Sequence, residues 1–250
     1  MDVFRKKIMQ LSIIIRSYNR LEYTVRTIVS IDKKSGLSKD DYEIICVDQN
    51  STDGTREWLS FNHKEKYYPI VPLLLSENVG DGLGMKAGIN IAEGEFIAQQ
   101  DSDIEIVTPD YYKKLIQVYE YLEKRGYKVC AVSGSHRQGI NLEAKPHRFA
   151  KLRYPDNFLD LKNKDFSGYF VSWVHGCFIF RKKIIEKLNF DKRGCNSWCS
   201  EFWDKGYVSF NCKNINFWHI DSSETGAHVK KQAEKFPSYK YIKKNYGKFL

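Results

Sequence analysis

Short apolar runs alternate with segments of helical periodicity through the first hundred residues. Leu11 to Ile15 (Leu-Ser-Ile-Ile-Ile) has the length and β-branched content of a buried strand, and Leu21 to Ile31 carries apolar residues at 21, 25, 28 and 29, the spacing of one helix face. A second unit follows. Tyr42 to Val47 reads as a strand ending at Asp48, and Ser51-Thr-Asp-Gly-Thr55 leads into a helix through Trp58 and Leu59. Ile70 to Leu75 is a third strand, Glu77 to Gly84 a glycine-bearing loop, and Met85 to Ala92 a short helix closed by Gly94. Phe96 to Gln100 is the fourth strand. Strands alternating with helices imply an α/β domain with a mostly parallel, Rossmann-like sheet, because each crossover must pass over a face of the sheet.

The second half is less regular. Tyr111 to Leu122 has a helical apolar pattern and Val129 to Val132 reads as a strand, but Gln138 to Asp165 is long, polar and aperiodic, as functional loops often are. Val171 to Phe180 alternates around Gly176 as one strand, Lys182 to Leu188 reads as a helix, and Ser197 to Lys205 as a short aromatic-rich helix ended by Gly206. Val208 to Phe210 and Asn216 to Trp218 are two further strand candidates.

Polar residues follow each of the first four strands: Ser17 and Asn19, then Asp48, then Asn78, then Asp101 and Asp103. In an open α/β sheet those positions gather on one rim, where ligands bind. The change at Asp101 is the sharpest, since the apolar start of Phe-Ile-Ala-Gln-Gln gives way to Asp-Ser-Asp. Two carboxylates spaced i, i+2 around a small residue suit a hard divalent cation that takes its other oxygens from a diphosphate. The competing reading is that such acids only close a strand or cap a helix.

At 250 residues with 42% hydrophobic and 28% charged residues, the chain has the composition of one soluble globular domain with a sizeable core. The apolar run behind Arg5, Lys6 and Lys7 is too short for a secretory leader, and no stretch reaches the ~18 apolar residues of a membrane span, so a cytoplasmic protein is expected. The six cysteines are then expected to be reduced. Cys195, Cys199 and His219 lack the paired spacing of a zinc site. The net charge of +9 is partly local: Lys230, Lys231, Lys235, Lys240, Lys243, Lys244 and Lys248 face one acid, Glu234, with aromatic residues between them. This tail suits either a solvated helix or peripheral contact with an anionic membrane surface, on the inner face.

With those residues in place the chain resembles the family 2 glycosyltransferases of GT-A fold. The matching words are Ser17-Tyr-Asn-Arg20, Val47-Asp-Gln-Asn-Ser-Thr-Asp-Gly-Thr55, Glu77-Asn-Val-Gly80, Ala92-Glu-Gly-Glu-Phe-Ile97 and Asp101-Ser-Asp103, in the family's order and at its spacings. Trp173 to Arg181 and Asn189-Phe-Asp191 are similar to its acceptor-side strand and turn. The resemblance implies one domain, with a nucleotide-sugar-binding half over about 9–106, an acceptor-side half over about 107–228 and the basic aromatic tail over 229–250.

It also implies a metal-dependent inverting enzyme that moves a sugar from a nucleotide-sugar, a UDP-sugar first among them, to a saccharide or lipid-linked hydroxyl acceptor in polysaccharide or glycolipid synthesis. Ser17 and Tyr18 would line base and ribose, Asp48 would accept from a pyrimidine N–H, and Asp53 and Asn78 would lie near the same loops. Lys86 would neutralise the diphosphate. Asp101, Asp103 and His219 would hold Mg²⁺ or Mn²⁺, with Ser102 between the acids. One departure concerns the base: the usual Glu-Asp pair is missing from Gly194 to Asp204, which leaves Glu201 first and Asp191 second. A sugar-nucleotidyltransferase should carry a glycine-rich loop after its first strand, and Arg16-Ser-Tyr-Asn-Arg20 has no glycine. A nucleic-acid binder using the tail would leave the strand-end acids unexplained, so no nucleic-acid partner is expected.

Overall fold

The computed structural model describes residues 9–137, 166–171, 174, 176–187, 199, 202 and 205–220. Strand β1 (Leu11–Ser17), helix α1 (Leu21–Lys34), β2 (Tyr42–Asp48), α2 (Thr55–Glu65), β3 (Ile70–Leu74), α3 (Gly80–Ile91) and β4 (Phe96–Asp101) form the alternating first half. They are followed by β5 (Ile104–Ile106), α4 (Tyr111–Lys124), β6 (Val129–Arg137), β7 (Gly168–Val171), β8 (Cys177–Arg181), a 3₁₀ turn at Lys182–Lys187 and β9 (Val208–His219). The sheet runs β3-β2-β1-β4-β8-β6-β9-β5, with β7 paired to β9. β3, β2, β1 and β4 are mutually parallel, so their carboxyl ends share one rim.

Alternation along β1 explains why helices cover both faces. Leu11, Ile13 and Ile15 pack with Val25 and Ile28 of α1, Trp58 and Leu59 of α2 and Leu115 of α4. Ile14 points the other way, toward Met85 and Ile89 of α3. All these residues are buried, as a doubly covered parallel sheet requires.

Three readings of the sequence are corrected by these elements. The stretch read as a loop up to Gly84 is helical from Gly80, in a helix that lies close on the sheet at Gly88, where a Cβ would come within 2.6 Å of the Ile14 side chain. The single strand expected across Gly176 is two, since Gly176 at φ +74° turns the chain between β7 and β8. Lys182–Lys187 is helical as expected, and of 3₁₀ type. The two strand candidates near the end are one twelve-residue strand, β9, whose exposed Lys213 and Asn214 interrupt the apolar pattern and not the chain's path.

At the opposite rim the motif Ala92-Glu-Gly-Glu acquires a physical cause. Glu43 Oε1 accepts from Ser12 Oγ (2.6 Å) and from Glu93 N (2.8 Å), and Ser12 Oγ in turn accepts from Gly94 N at 2.8 Å. A Cβ on Gly94 would lie 2.4 Å from Ser12 N and 2.7 Å from both Leu11 C and Phe96 O, all backbone atoms that no rotamer change can move. Gly94→Ala is therefore expected to lower stability by about 3 kcal/mol, the upper end for an overpacked interior. Urea denaturation measures it, and an unchanged midpoint would mean that this turn relaxes freely.

Candidate active site

The acidic turn after β4 is clamped from four sides. Thr27 Oγ1 of α1 donates to Ser102 O at 2.9 Å, and Gln100 Nε2 donates across the turn to Ile104 O at 3.1 Å. Asp101 N donates to Gly176 O at 3.2 Å, and Ile220 N to Asp103 O at 2.9 Å. Gln100 is itself anchored by the Tyr112 hydroxyl of α4, which donates to its Oε1. A turn so held presents its carboxylates in one direction, which is what a preorganised ion site needs.

His219 arrives from the far end of the chain because β5 pairs antiparallel with β9, setting Ile104 opposite His219. Its Nε2 lies 3.0 Å from Asp103 Oδ1, and one ligand atom each of Asp101, Asp103 and His219 falls within 4.8 Å of the others. Two arginines complete the cluster. Arg16, at the end of β1 and almost buried, donates from Nη2 to Asp101 Oδ1 at 3.0 Å, while its Nε sits 2.7 Å from Asp81 Oδ1 in the first turn of α3. Arg20, just before α1, donates to Asp103 Oδ2 at 2.5 Å.

Burial alone would push the Asp103 carboxyl up, but the His219 hydrogen bond and the Arg20 charge outweigh it and hold it below the usual range. For His219 burial works downward, and Asp103 and Asp101 overcome it, so the imidazole is more basic than an ordinary histidine. Two carboxylates and an imidazole are an oxygen- and nitrogen-rich donor set that fits Mg²⁺ or Mn²⁺, and Asp103 stands at its centre, with Arg20 on one oxygen and His219 on the other.

A cleft of about 370 Å³ opens over this cluster, within the range of small-molecule sites. It brings together Tyr18, Asn78, Asp101, Ser102, Asp103 and His219 from among the expected residues, and adds Arg16, Arg20, Gln49, Gly80 and Asp81. Tyr18 is 37% exposed and lines the cleft. Asn78 Oδ1 accepts from Gly80 N at 3.0 Å and shapes the start of α3.

Four expected residues do not line the cleft. Ser17 is buried, its hydroxyl 2.8 Å from that of Thr24. Asp48 lies behind the rim, fully buried, accepting from Ser51 N (3.1 Å) and Arg56 Nη1 (3.0 Å). Asp53 ties two helix starts together, accepting from Leu21 N at 2.8 Å with one oxygen and from Thr55 N at 3.1 Å with the other. Lys86 is exposed on α3. Glu201 and Asp191 lie outside the described residues, as does the tail over 229–250. Cys195 also lies outside them, and Cys46, Cys130, Cys177, Cys199 and Cys212 are buried free thiols.

Pattern reading misses Arg16, Arg20, Gln49 and Asp81. The first three stand within Arg16-Ser-Tyr-Asn-Arg20 and Asp48-Gln-Asn, so the available signal is a polar side chain within three positions of a strand end.

Comparison with known proteins places this arrangement. The family model described as glycosyl transferase family 2 matches residues 12–188. Among curated proteins, an undecaprenyl-phosphate 4-deoxy-4-formamido-L-arabinose transferase of Yersinia enterocolitica is 32% identical over 53% of this chain, and the match spans 39% of that protein's length. Among solved structures, the mannosyltransferase PcManGT of Pyrobaculum calidifontis, in complex with GDP-Man and Mn²⁺, superposes with a TM-score of 0.63 at 18% identity, covering 90% of this chain and 60% of that one. TarS 1-349 of S. aureus, in complex with UDP-GlcNAc, gives a TM-score of 0.57 at 19% identity over 88% of this chain and 62% of its own. These neighbours share the GT-A glycosyltransferase fold. The family model spans more than half of the chain, acidic turn included, and the chain therefore belongs to glycosyltransferase family 2.

Proposed function

We propose that the protein transfers a sugar from a nucleotide-sugar, foremost a UDP-sugar, to a hydroxyl of a saccharide or lipid-linked acceptor, with inversion at the anomeric carbon and dependence on Mg²⁺ or Mn²⁺. The observation that carries this reading is the convergence of Asp101, Asp103 and His219 at the carboxyl rim of the parallel strands. Those three side chains would hold the cation. When bound, it would supply Lewis-acid stabilisation of the departing diphosphate.

The chain's own residues do the rest. Arg16 and Arg20 bring positive charge to the floor of the cleft, where the leaving group's negative charge develops. Tyr18 offers its ring to the base or ribose, and Asn78 borders the cleft at the start of α3. For inversion, a carboxylate opposite the leaving group takes the acceptor's hydroxyl proton as the new C1–O bond forms and the C1–O bond to diphosphate breaks. Glu201 is our assignment for that base, with Asp191 next.

A lipid-linked acceptor is supported by the name of the Yersinia relative. No helix among the described residues is long and apolar enough to cross a membrane, and the basic tail over 229–250 is where we place contact with an anionic surface.

The test is a panel of nucleotide-sugars incubated with the protein, with Mn²⁺ and after chelation, scoring release of nucleoside diphosphate. Release should be confined to one or a few donors and be lost on chelation. Undiminished release in the chelated sample would remove the metal from the mechanism, and silence across the panel would remove the nucleotide-sugar.

A further inference from the structure

Asp103 is approached by two groups of different kinds. His219, whose Nε2 lies 3.0 Å from Oδ1, belongs to the donor set of the cluster, whereas Arg20 Nη1 donates to Oδ2 at 2.5 Å. A guanidinium only donates and has no acceptor atom, so Arg20 cannot join that set. A divalent ion on Oδ2, at the ~2.1 Å of a magnesium–oxygen bond, would stand within about 5 Å of the Arg20 nitrogen. Two positive groups would then share one oxygen of a side chain that is only 6% exposed, where water screens their repulsion poorly.

The two arginines of the cleft differ in their freedom to answer that repulsion. Arg16, with 7% of its side chain exposed, is tied to Asp101 at 3.0 Å, to Asp81 Oδ1 at 2.7 Å and to Met85 Sδ at 3.3 Å. It is a fixed part of the floor. Arg20 precedes the first residue of α1, has 22% of its side chain exposed and lines the cleft, so its guanidinium has solvent-side room to turn.

We propose that Arg20 exchanges anions when the donor binds: its guanidinium gives up Asp103 Oδ2 to the cation and turns to the diphosphate that arrives on the cation. The inference rests on the metal-dependent nucleotide-sugar reading above. A diphosphate offers the guanidinium paired oxygens in place of the carboxylate, so its charge-assisted hydrogen bonds are replaced rather than lost. The consequence is coupling between the two ligands. A cation by itself competes with Arg20, whereas cation and diphosphate together do not, so each raises the affinity of the other by the same factor.

The test compares wild type, Arg20→Gln and Arg20→Lys in two measurements. Binding of Mn²⁺ alone is read from the paramagnetic resonance signal of the free ion, and binding of UDP and of GDP at saturating Mn²⁺ by calorimetry. Arg20→Gln should tighten Mn²⁺ alone by about tenfold and weaken Mn²⁺-dependent nucleotide binding by about tenfold, opposite shifts within the usual range of coupling between two ligands. Arg20→Lys, which keeps the charge and loses the planar fork, should leave Mn²⁺ affinity near wild type and recover part of the nucleotide binding. Weaker Mn²⁺ binding in Arg20→Gln overturns the exchange and makes Arg20 a clamp that orients Asp103. Unchanged affinity for Mn²⁺ or for the nucleotide overturns it too. Wild type that binds Mn²⁺ but neither nucleotide brings down the nucleotide-donor reading, wild type that binds no Mn²⁺ brings down the cation site, and the exchange falls with either.

Discussion

Asp103→Ala is expected to lower sugar transfer by about 10²–10³-fold or more, the loss seen when one preorganised electrostatic contact to a leaving group is removed. The side chain accepts from Arg20 and His219 and is one of three groups able to share a cation. Its removal therefore strips a ligand and takes one partner from Arg20 and one from His219. With one of the three donor groups gone, metal-dependent nucleoside diphosphate binding should weaken as well as turnover. Asp103→Asn, which keeps size and hydrogen bonding but not charge, separates loss of the ion from loss of fold. Thermal melts should show the asparagine variant folded while calorimetry shows Mn²⁺-dependent UDP binding gone. Unchanged affinity and metal dependence in both variants would falsify the cation site.

Glu201→Gln tests the other half of the reaction. A general base acts only after donor and acceptor are bound, so its loss should leave donor affinity near wild type and cut transfer by about 10²–10⁴-fold. Donor binding is read by calorimetry and transfer by single-turnover formation of product, so that slow release does not mask the chemistry. The same measurement on Asp191→Asn provides the contrast. Normal turnover in Glu201→Gln with a collapse in Asp191→Asn would transfer the role to Asp191.

How much of this was legible beforehand depends on range along the chain. Asp101 and Asp103 could be found because a buried strand that ends in acids is a local contradiction, visible within six residues. Their partners could not. Arg16 meets Asp101 from 85 positions away and Arg20 meets Asp103 from 83, and neither pairing leaves any mark on local periodicity. The helix start at Gly80 was hidden for a related reason. Glycines at 80, 82 and 84 argue against a helix by propensity, and the contact that seats α3 on the sheet lies further along, at Gly88, where a Cβ would come within 2.6 Å of Ile14 and 3.2 Å of Val47.

Asp48 shows a different limit of local pattern. An acid at a strand end on the ligand rim is a fair candidate for substrate contact, yet Asp48 is fully buried and engaged by Arg56 and Ser51 N, while the next residue lines the cleft. Side chains alternate across a strand, so one position decides between facing ligand and facing the next helix. Periodicity gives no register at a strand's last residue, where the alternation has no further partner to check it.

By itself the sequence determined the alternating βα order, the burial of β1, β2 and β4, the place of the acidic turn and the family words, since each is written in runs of adjacent residues. Only the tertiary structure decided which polar residues meet. It brought His219 beside Asp103 through the β5–β9 pairing and set Arg16 and Arg20 against the two acids. The reason is physical: local pattern records how a residue faces its own element, whereas hydrogen bonds and ion pairs between strand ends depend on the order in which the strands assemble.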